Sequence, residues 1–387
     1  IFFFQFRAMI DMGQKNEQLD MITVRHLMQQ AVADNVFPGA VLLVSRKDRI
    51  LIHEAFGRRD LISGDPVTTG TIFDLASLTK PLATALAVMA LVEDQKVALD
   101  QPLGDVLTAF KNDRKAPIKI KQLLNHSSGL ADYRAYYKEI GNLPSQERKP
   151  ALRKLLVGEP LVHSIGSRVL YSDIGFMILA WVVEEVSGNQ LDQYVTEMVY
   201  DPLGLNNLFF VDHRAGARPV EFAATEQCTW RRQMLCGQVH DENAYAVGGV
   251  QGHAGLFGTA SDINSLLGHL LMAFHGQPST RLFQPDMVRL FFRRLAGSDK
   301  ALGFDTPSAR ESSAGRFFSR NSVGHLGFTG TSFWMDLDRS FTVILLTNRV
   351  HPTRGNGAIK GFRPKLHDAV MQCLLGSKVQ GSEVQGS

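Results

Sequence analysis

Phe73-Asp-Leu-Ala-Ser77-Leu-Thr-Lys80-Pro81 is the stretch on which the reading of this chain turns. It sets a hydroxyl and an amine three residues apart, just ahead of Ala83 to Val92, a run of mostly Ala, Leu, Met and Val that predicts a buried helix. Pro81 is tolerated only near a helix start, where its missing N–H has little to pair with, so the helix is expected to begin close to Ser77. Positions i and i+3 share a helix face, which brings Lys80 within reach of Ser77 Oγ. An electropositive helix N-terminus stabilises a developing oxyanion and disfavours an ammonium. The expectation is therefore a neutral Lys80 that takes the serine proton. Alone, the spacing carries little weight, since a chain of this length holds roughly one Ser-x-x-Lys by chance; the alternative is a surface Ser and Lys on an ordinary helix.

Two further stretches add context. Leu170-Tyr171-Ser172-Asp173-Ile174-Gly175 leads into Phe176 to Val186, an apolar-periodic helix closed by Ser187-Gly188. Ser172 or Asp173 fits the N-cap and Gly188 the C-terminal stop. Tyr171 falls just outside the helix, placed to reach into a cleft as a second proton carrier. Gly324-His325-Leu326-Gly327-Phe328-Thr329-Gly330-Thr331 precedes Ser332 to Asp338, a turn, and the apolar strand Phe341 to Leu346, which reads as a hairpin. Gly327 would let an extended substrate backbone approach the sheet edge; a bulge or turn is the plainer reading.

In this order, with about 90 and 150 residues between them, the three stretches resemble the serine β-lactamase and penicillin-binding protein superfamily, whose pattern is Ser-x-x-Lys, Tyr-x-Asn, and Lys or His before x-Gly. Phe37-Pro-Gly-Ala-Val, Leu123-Leu-Asn-His-Ser-Ser-Gly-Leu130, Gly248 to Phe257 and Leu346-Thr-Asn-Arg-Val-His-Pro352 resemble recurring blocks of the β-lactamase-related serine hydrolases, class C β-lactamases and family esterases included. Cys228-Thr-Trp-Arg and Val239-His-Asp-Glu-Asn-Ala look most like the cell-wall branch, with its low-molecular-weight penicillin-binding proteins and an exo-acting muramyl-peptide amidase. The resemblance implies an α/β (α+β) fold with an antiparallel sheet flanked by helices and a helical insertion. It also implies an acyl-enzyme on Ser77, with Lys80 and Tyr171 carrying the proton and the backbone N–H groups of Ser77 and Phe328 as oxyanion hole.

Two positions depart from the pattern. The lactamases usually carry Lys where this chain has His325, and Asn where it has Asp173. An imidazole near its ordinary pKa is mostly neutral at pH 7, so a substrate carboxylate is gripped less firmly. Asp173 adds a negative charge that repels anions, or pairs with Lys80 or a substrate amine. The favoured reading is a peptidase or amidase for D-amino-acid or cell-wall-type substrates. A carboxylesterase, a β-lactamase and a non-catalytic scaffold are the alternatives.

The chain has 387 residues, 44% hydrophobic and 20% charged, with 41 basic against 38 acidic residues and a net charge of +3. That suits a folded enzyme acting on a small-molecule or peptide substrate, and with no long basic run nothing asks for nucleic acid. Cys228, Cys236, His240, Asp241 and His253 match no standard metal spacing, so no metal or other cofactor is expected. Oligomeric state is left open. No window is expected to span a membrane, and Ile1-Phe-Phe-Phe is too short for a signal sequence. The sequence as written predicts a cytoplasmic protein, or a periplasmic or secreted one if its N-terminus is truncated. The expected organisation is an extension over 1–19, a catalytic domain over 20–376 and a disordered tail over 377–387. Within the domain, a discontinuous α/β part (20–76 and 292–376) encloses a helical part (77–291).

Overall fold

The computed structural model describes residues 21–47, 49–213, 220–277 and 282–379. The N-terminal extension and the tail from 380 lie outside the described residues; residues 377–379 continue a helix, where the sequence reading began its disordered tail.

Among the described residues there are ten strands: β1 (Gly39–Arg46), β2 (Arg49–Gly57), β3 (Phe73–Asp74), β4 (Leu208–Phe210), β5 (Gln227–Cys228), β6 (Gln233–Met234), β7 (Leu256–Gly258), β8 (Ser322–Leu326), β9 (Ser332–Asp336) and β10 (Phe341–Thr347). The main sheet is antiparallel, in the order β2-β1-β10-β9-β8. Successive side chains on a strand point to opposite faces. Val41, Leu43, Phe333, Met335, Ile344 and Leu346 enter one core, while Ala40, Leu42, Val44, Trp334, Val343 and Leu345 enter another. Both faces are therefore covered, which is why β1 and β10 read as unbroken apolar runs. The helices over 21–33 and Ile359–Val379 supply the second core, and the helix Ala260–Phe274 packs on β1 and β10 from the first.

A smaller sheet, β3-β7-β4, lies within the chain between the early and late strands. The sequence reading missed it because its strands are only two or three residues long, below the length at which alternation shows. It also took Gly324–Leu326 for the lead-in to a hairpin, whereas those residues belong to β8, the edge of the main sheet, with His325 opposite Phe333. The 18-residue stretch Ala76–Glu93 is long and apolar enough to cross a membrane by composition alone, which the sequence reading passed over. It is 83% buried inside the fold and forms a core helix.

Candidate active site

Strand β3 runs into Leu75 and Ala76, and Ala76 takes φ +47°, a left-handed conformation that side-chain-bearing residues adopt only at a cost. Two bonds from Asp74 brace the turn. Its Oδ1 accepts from Ala76 N–H at 2.8 Å, and its Oδ2 accepts from His240 N–H at 2.6 Å. Burial raises the Asp74 pKa in spite of these donors. The segment then starts as a 3-10 turn (Ala76–Leu78), widens over Lys80–Thr84, where Ala85 N–H returns five residues to Lys80 O, and becomes a regular α-helix at Ala85–Glu93. The wide turn begins beside Pro81, whose ring nitrogen donates nothing. Helical structure thus starts at Ala76, close to Ser77 as Pro81 predicts, but not as α-helix.

Lys80 is fully buried. Its Nζ donates to Ser77 Oγ at 3.0 Å and to the His253 carbonyl at 3.0 Å, and lies 2.7 Å from Asp173 Oδ1. Burial alone would lower its pKa, but the Asp173 carboxylate, with Tyr171 beside it, overrides burial and the net shift is upward. The neutral Lys80 expected from the helix end is therefore corrected: in the resting site Lys80 is an ammonium. A full charge at 2.7 Å outweighs the partial charge of a helix terminus.

Asp173 is the first residue of the helix Asp173–Ser187, with Ser172 capping it by accepting from Gly175 N–H at 3.2 Å and Gly188 ending it at φ +76°. Tyr171, just before the cap, lies with its ring centroid 4.9 Å from Lys80 Nζ, close enough for the ammonium charge to act on its phenol. Burial raises its pKa and the Lys80 charge pulls it back in part. His126 packs on the Tyr171 ring, tilted by 36° with centroids 4.6 Å apart, and accepts from Ser172 N–H at Nδ1, fixing the loop that carries the phenol. Ser77, Lys80, Tyr171 and Asp173 thus meet at one point.

His325 is 2% exposed on β8, with its ring 6.0 Å from that of Tyr171 and its Nδ1 2.9 Å from the Leu326 carbonyl. Burial, reinforced by the Lys80 and Lys300 charges and opposed by Asp305, lowers its pKa to about 4. The imidazole is therefore neutral at pH 7 and stays so well below the ordinary histidine range. At Gly327 a β-carbon would lie 2.0 Å from Thr331 Oγ1 and 2.7 Å from the Leu75 carbonyl. The close neighbour at Gly327 is the chain's own β3 end, where the sequence reading left room for substrate. Thr329 and Thr331 hydroxyls complete that seam, donating to the Asp74 and Leu75 carbonyls at 2.7 and 3.1 Å.

Phe328 follows, its side chain 48% exposed over the site and its carbonyl held by Arg349. The N–H of Phe328 shares a peptide plane with the Gly327 carbonyl, and buried Arg363 donates to that carbonyl at 3.0 Å and to Thr331 O at 2.7 Å. Arg363 thereby sets the direction of the Phe328 N–H. Sequence reasoning missed Arg363 and Lys300; Asp74 and His126 lay within quoted blocks but were given no role. On the far side, His253 pairs with Asp241 at 2.9 Å and His240 with Glu226 at 3.0 Å, and no disulfide joins buried Cys228 to exposed Cys236.

A family model described as Beta-lactamase matches residues 24–362. A protein of Escherichia coli (strain K12), named as a candidate D-alanyl-D-alanine carboxypeptidase, is 34% identical over 358 residues, covering 84% of this chain and 81% of its own. An N-acetylmuramyl-L-alanine amidase of Bacillus subtilis (strain 168) is 34% identical over 345 residues, covering 81% of this chain and 78% of its own. Among solved structures, EstCE1, described as a hydrolase with promiscuous acyltransferase activity, superposes with a TM-score of 0.73 over 93% of this chain and 100% of that one. At 24% identity, that likeness speaks for the fold alone.

Proposed function

Because this chain belongs to the beta-lactamase family and is a hydrolase of that family, we propose that it cleaves amide bonds in cell-wall-type peptides through a covalent ester on Ser77. The observation that carries the reading is the 3.0 Å hydrogen bond between Lys80 Nζ and Ser77 Oγ, with the Tyr171 ring 4.9 Å from the same nitrogen. Before reaction one proton must leave the Lys80–Tyr171 pair, which titrates as a unit. Ser77 Oγ then attacks the substrate carbonyl while its proton passes to that pair. The new oxyanion lies between the N–H groups of Ser77 and Phe328. Collapse breaks the C–N bond, the pair returns the proton to the leaving amine, and water repeats the sequence to free the acid and Ser77.

The relatives' names favour an amide over an ester: one is a candidate carboxypeptidase and the other an amidase. Neutral His325 favours substrates without a carboxylate beside the scissile bond. We therefore rank an amidase ahead of a carboxypeptidase, a carboxylesterase next and a β-lactamase last. Intact-mass spectrometry after mixing with a D-alanyl peptide amide and with a neutral p-nitrophenyl ester tests the reading. An adduct on Ser77 is expected in the wild type and none in Ser77→Ala, whose fold should persist, since a cap at this position would contribute only about 0.5–2 kcal/mol. Turnover of either substrate by Ser77→Ala above a few per cent of wild type would sink the mechanism. A wild type that turns over none of these substrates would instead support the non-catalytic scaffold.

A further inference from the structure

Tyr171 has a second neighbourhood. An open depression of about 1080 Å³ lies between the loop carrying Arg168 and Tyr171 and the irregular segment around 294–309, with Arg320 closing it just ahead of β8. Four of its lining side chains are cationic, Arg168, Arg294, Lys300 and Arg320, against the single carboxylate Asp299. Two of these charges are already engaged. Lys300 pairs with Asp305 at 2.6 Å, and Arg294 donates to the carbonyls of Ser298 and Pro307, both at 2.8 Å. Arg168 and Arg320, both exposed, have no carboxylate partner among the described residues. A chain almost balanced in charge, 41 basic against 38 acidic residues, has here concentrated cations against the wall of its own reactive site. Lys300 Nζ, 5.9 Å from the Tyr171 ring, links the two.

We propose that this depression is an anion subsite of the substrate cleft, in which Arg168 and Arg320 take a carboxylate that the substrate carries away from its scissile bond. The guanidinium fork suits a carboxylate, and unpaired arginines spend no existing ion pair to bind one. Neutral His325 and anionic Asp173 disfavour a carboxylate at the reacting end, so the acidic group belongs one or two residues away. The inference refines the cell-wall-peptide reading: the preferred peptide is acidic, with its charge held at a distance from the cleaved amide.

The test uses the full chain bearing Ser77→Ala, so that affinity is read without turnover. Its probes are short peptide amides alike at the scissile bond, with Glu or Gln placed one or two residues to either side. At low salt, the best-placed Glu peptide should bind about fivefold tighter than its Gln partner, because exposed charge pairs each give factors of about 1.4 to 5. The preference should contract at about 1 M salt, where the screening length falls to about 3 Å. It should vanish when Arg168→Gln and Arg320→Gln are added, two exposed positions whose change leaves no buried group unpaired. A Glu preference below twofold at every position, or one that survives the arginine changes, overturns the subsite. The mass adduct on wild-type Ser77 is scored separately, so loss of the acyl-enzyme reading and loss of the subsite give different results.

Discussion

Replacing Asp173 by Asn isolates the interaction that sets the charge of the reacting centre. Asp173 Oδ1 lies 2.7 Å from Lys80 Nζ, and Lys80 has no access to solvent. Coulomb's law at that separation gives about 1.5 kcal/mol in bulk water and about 6 kcal/mol at an effective dielectric of 20. At 1.36 kcal/mol per pKa unit, removing the charge should lower the proton affinity of the Lys80–Tyr171 pair by roughly one to four units. The sign follows from the mechanism. Ser77 reacts only when the pair has lost a proton, so kcat/KM rises with pH through the pair's pKa. Asn keeps the shape but not the charge, and the rising limb should move to lower pH by that amount, with higher activity at pH 7 toward a neutral ester. The assay is a kcat/KM–pH profile from about pH 5 to 10 for both proteins, with circular dichroism at each end to show that they remain folded. A limb that stays in place would refute the argument, since either the pair is not the base or Asp173 does not hold its proton.

Two further outcomes are expected. Arg363→Met should lower kcat about tenfold with little change in KM, and Arg363→Lys should recover part of it, because the side chain acts only by aiming the Phe328 N–H; a loss confined to KM would count against that role. Buried His325 and His367 are both held to about 4 by burial, whereas an unfolded histidine binds its proton near 6.5. The unfolded chain therefore carries more protons between those values, and stability should fall as pH drops through that window, by roughly 3 kcal/mol per imidazole at most. Urea unfolding at pH 7, 5.5 and 4.5 checks this, and the slope should lose about one proton in His367→Gln; an unchanged slope would rule His367 out.

What could be read in the sequence was local. Ser77 and Lys80 share a turn, Ser172 caps a helix three residues before the amide it accepts, and Gly188 ends that helix where the apolar period stops. The covered faces of β1 and β10 also announced themselves as apolar runs. What escaped depends on distance along the chain. The charge on Lys80 is decided by a carboxylate 93 positions later, and the Phe328 peptide is aimed by an arginine 35 positions later, on a helix whose apolar period does not say what that arginine reaches. Gly327 shows the same limit: its lack of a side chain is legible, but not which backbone fills the space.

The seam between Asp74, Leu75 and the two threonines joins residues more than 250 positions apart, and the Lys80 bond to His253 spans 173. No short segment of the chain therefore contains the reacting centre. A single cut between Gly258 and Ser322 would leave one fragment with Ser77, Lys80 and Tyr171 and another with His325 and Phe328, and neither would hold the whole site. The closure entropy of those long loops is met by the folded body as a whole, not by the residues that react. The site is thus assembled by the tertiary structure from distant parts of the chain, and no short segment carries it by itself.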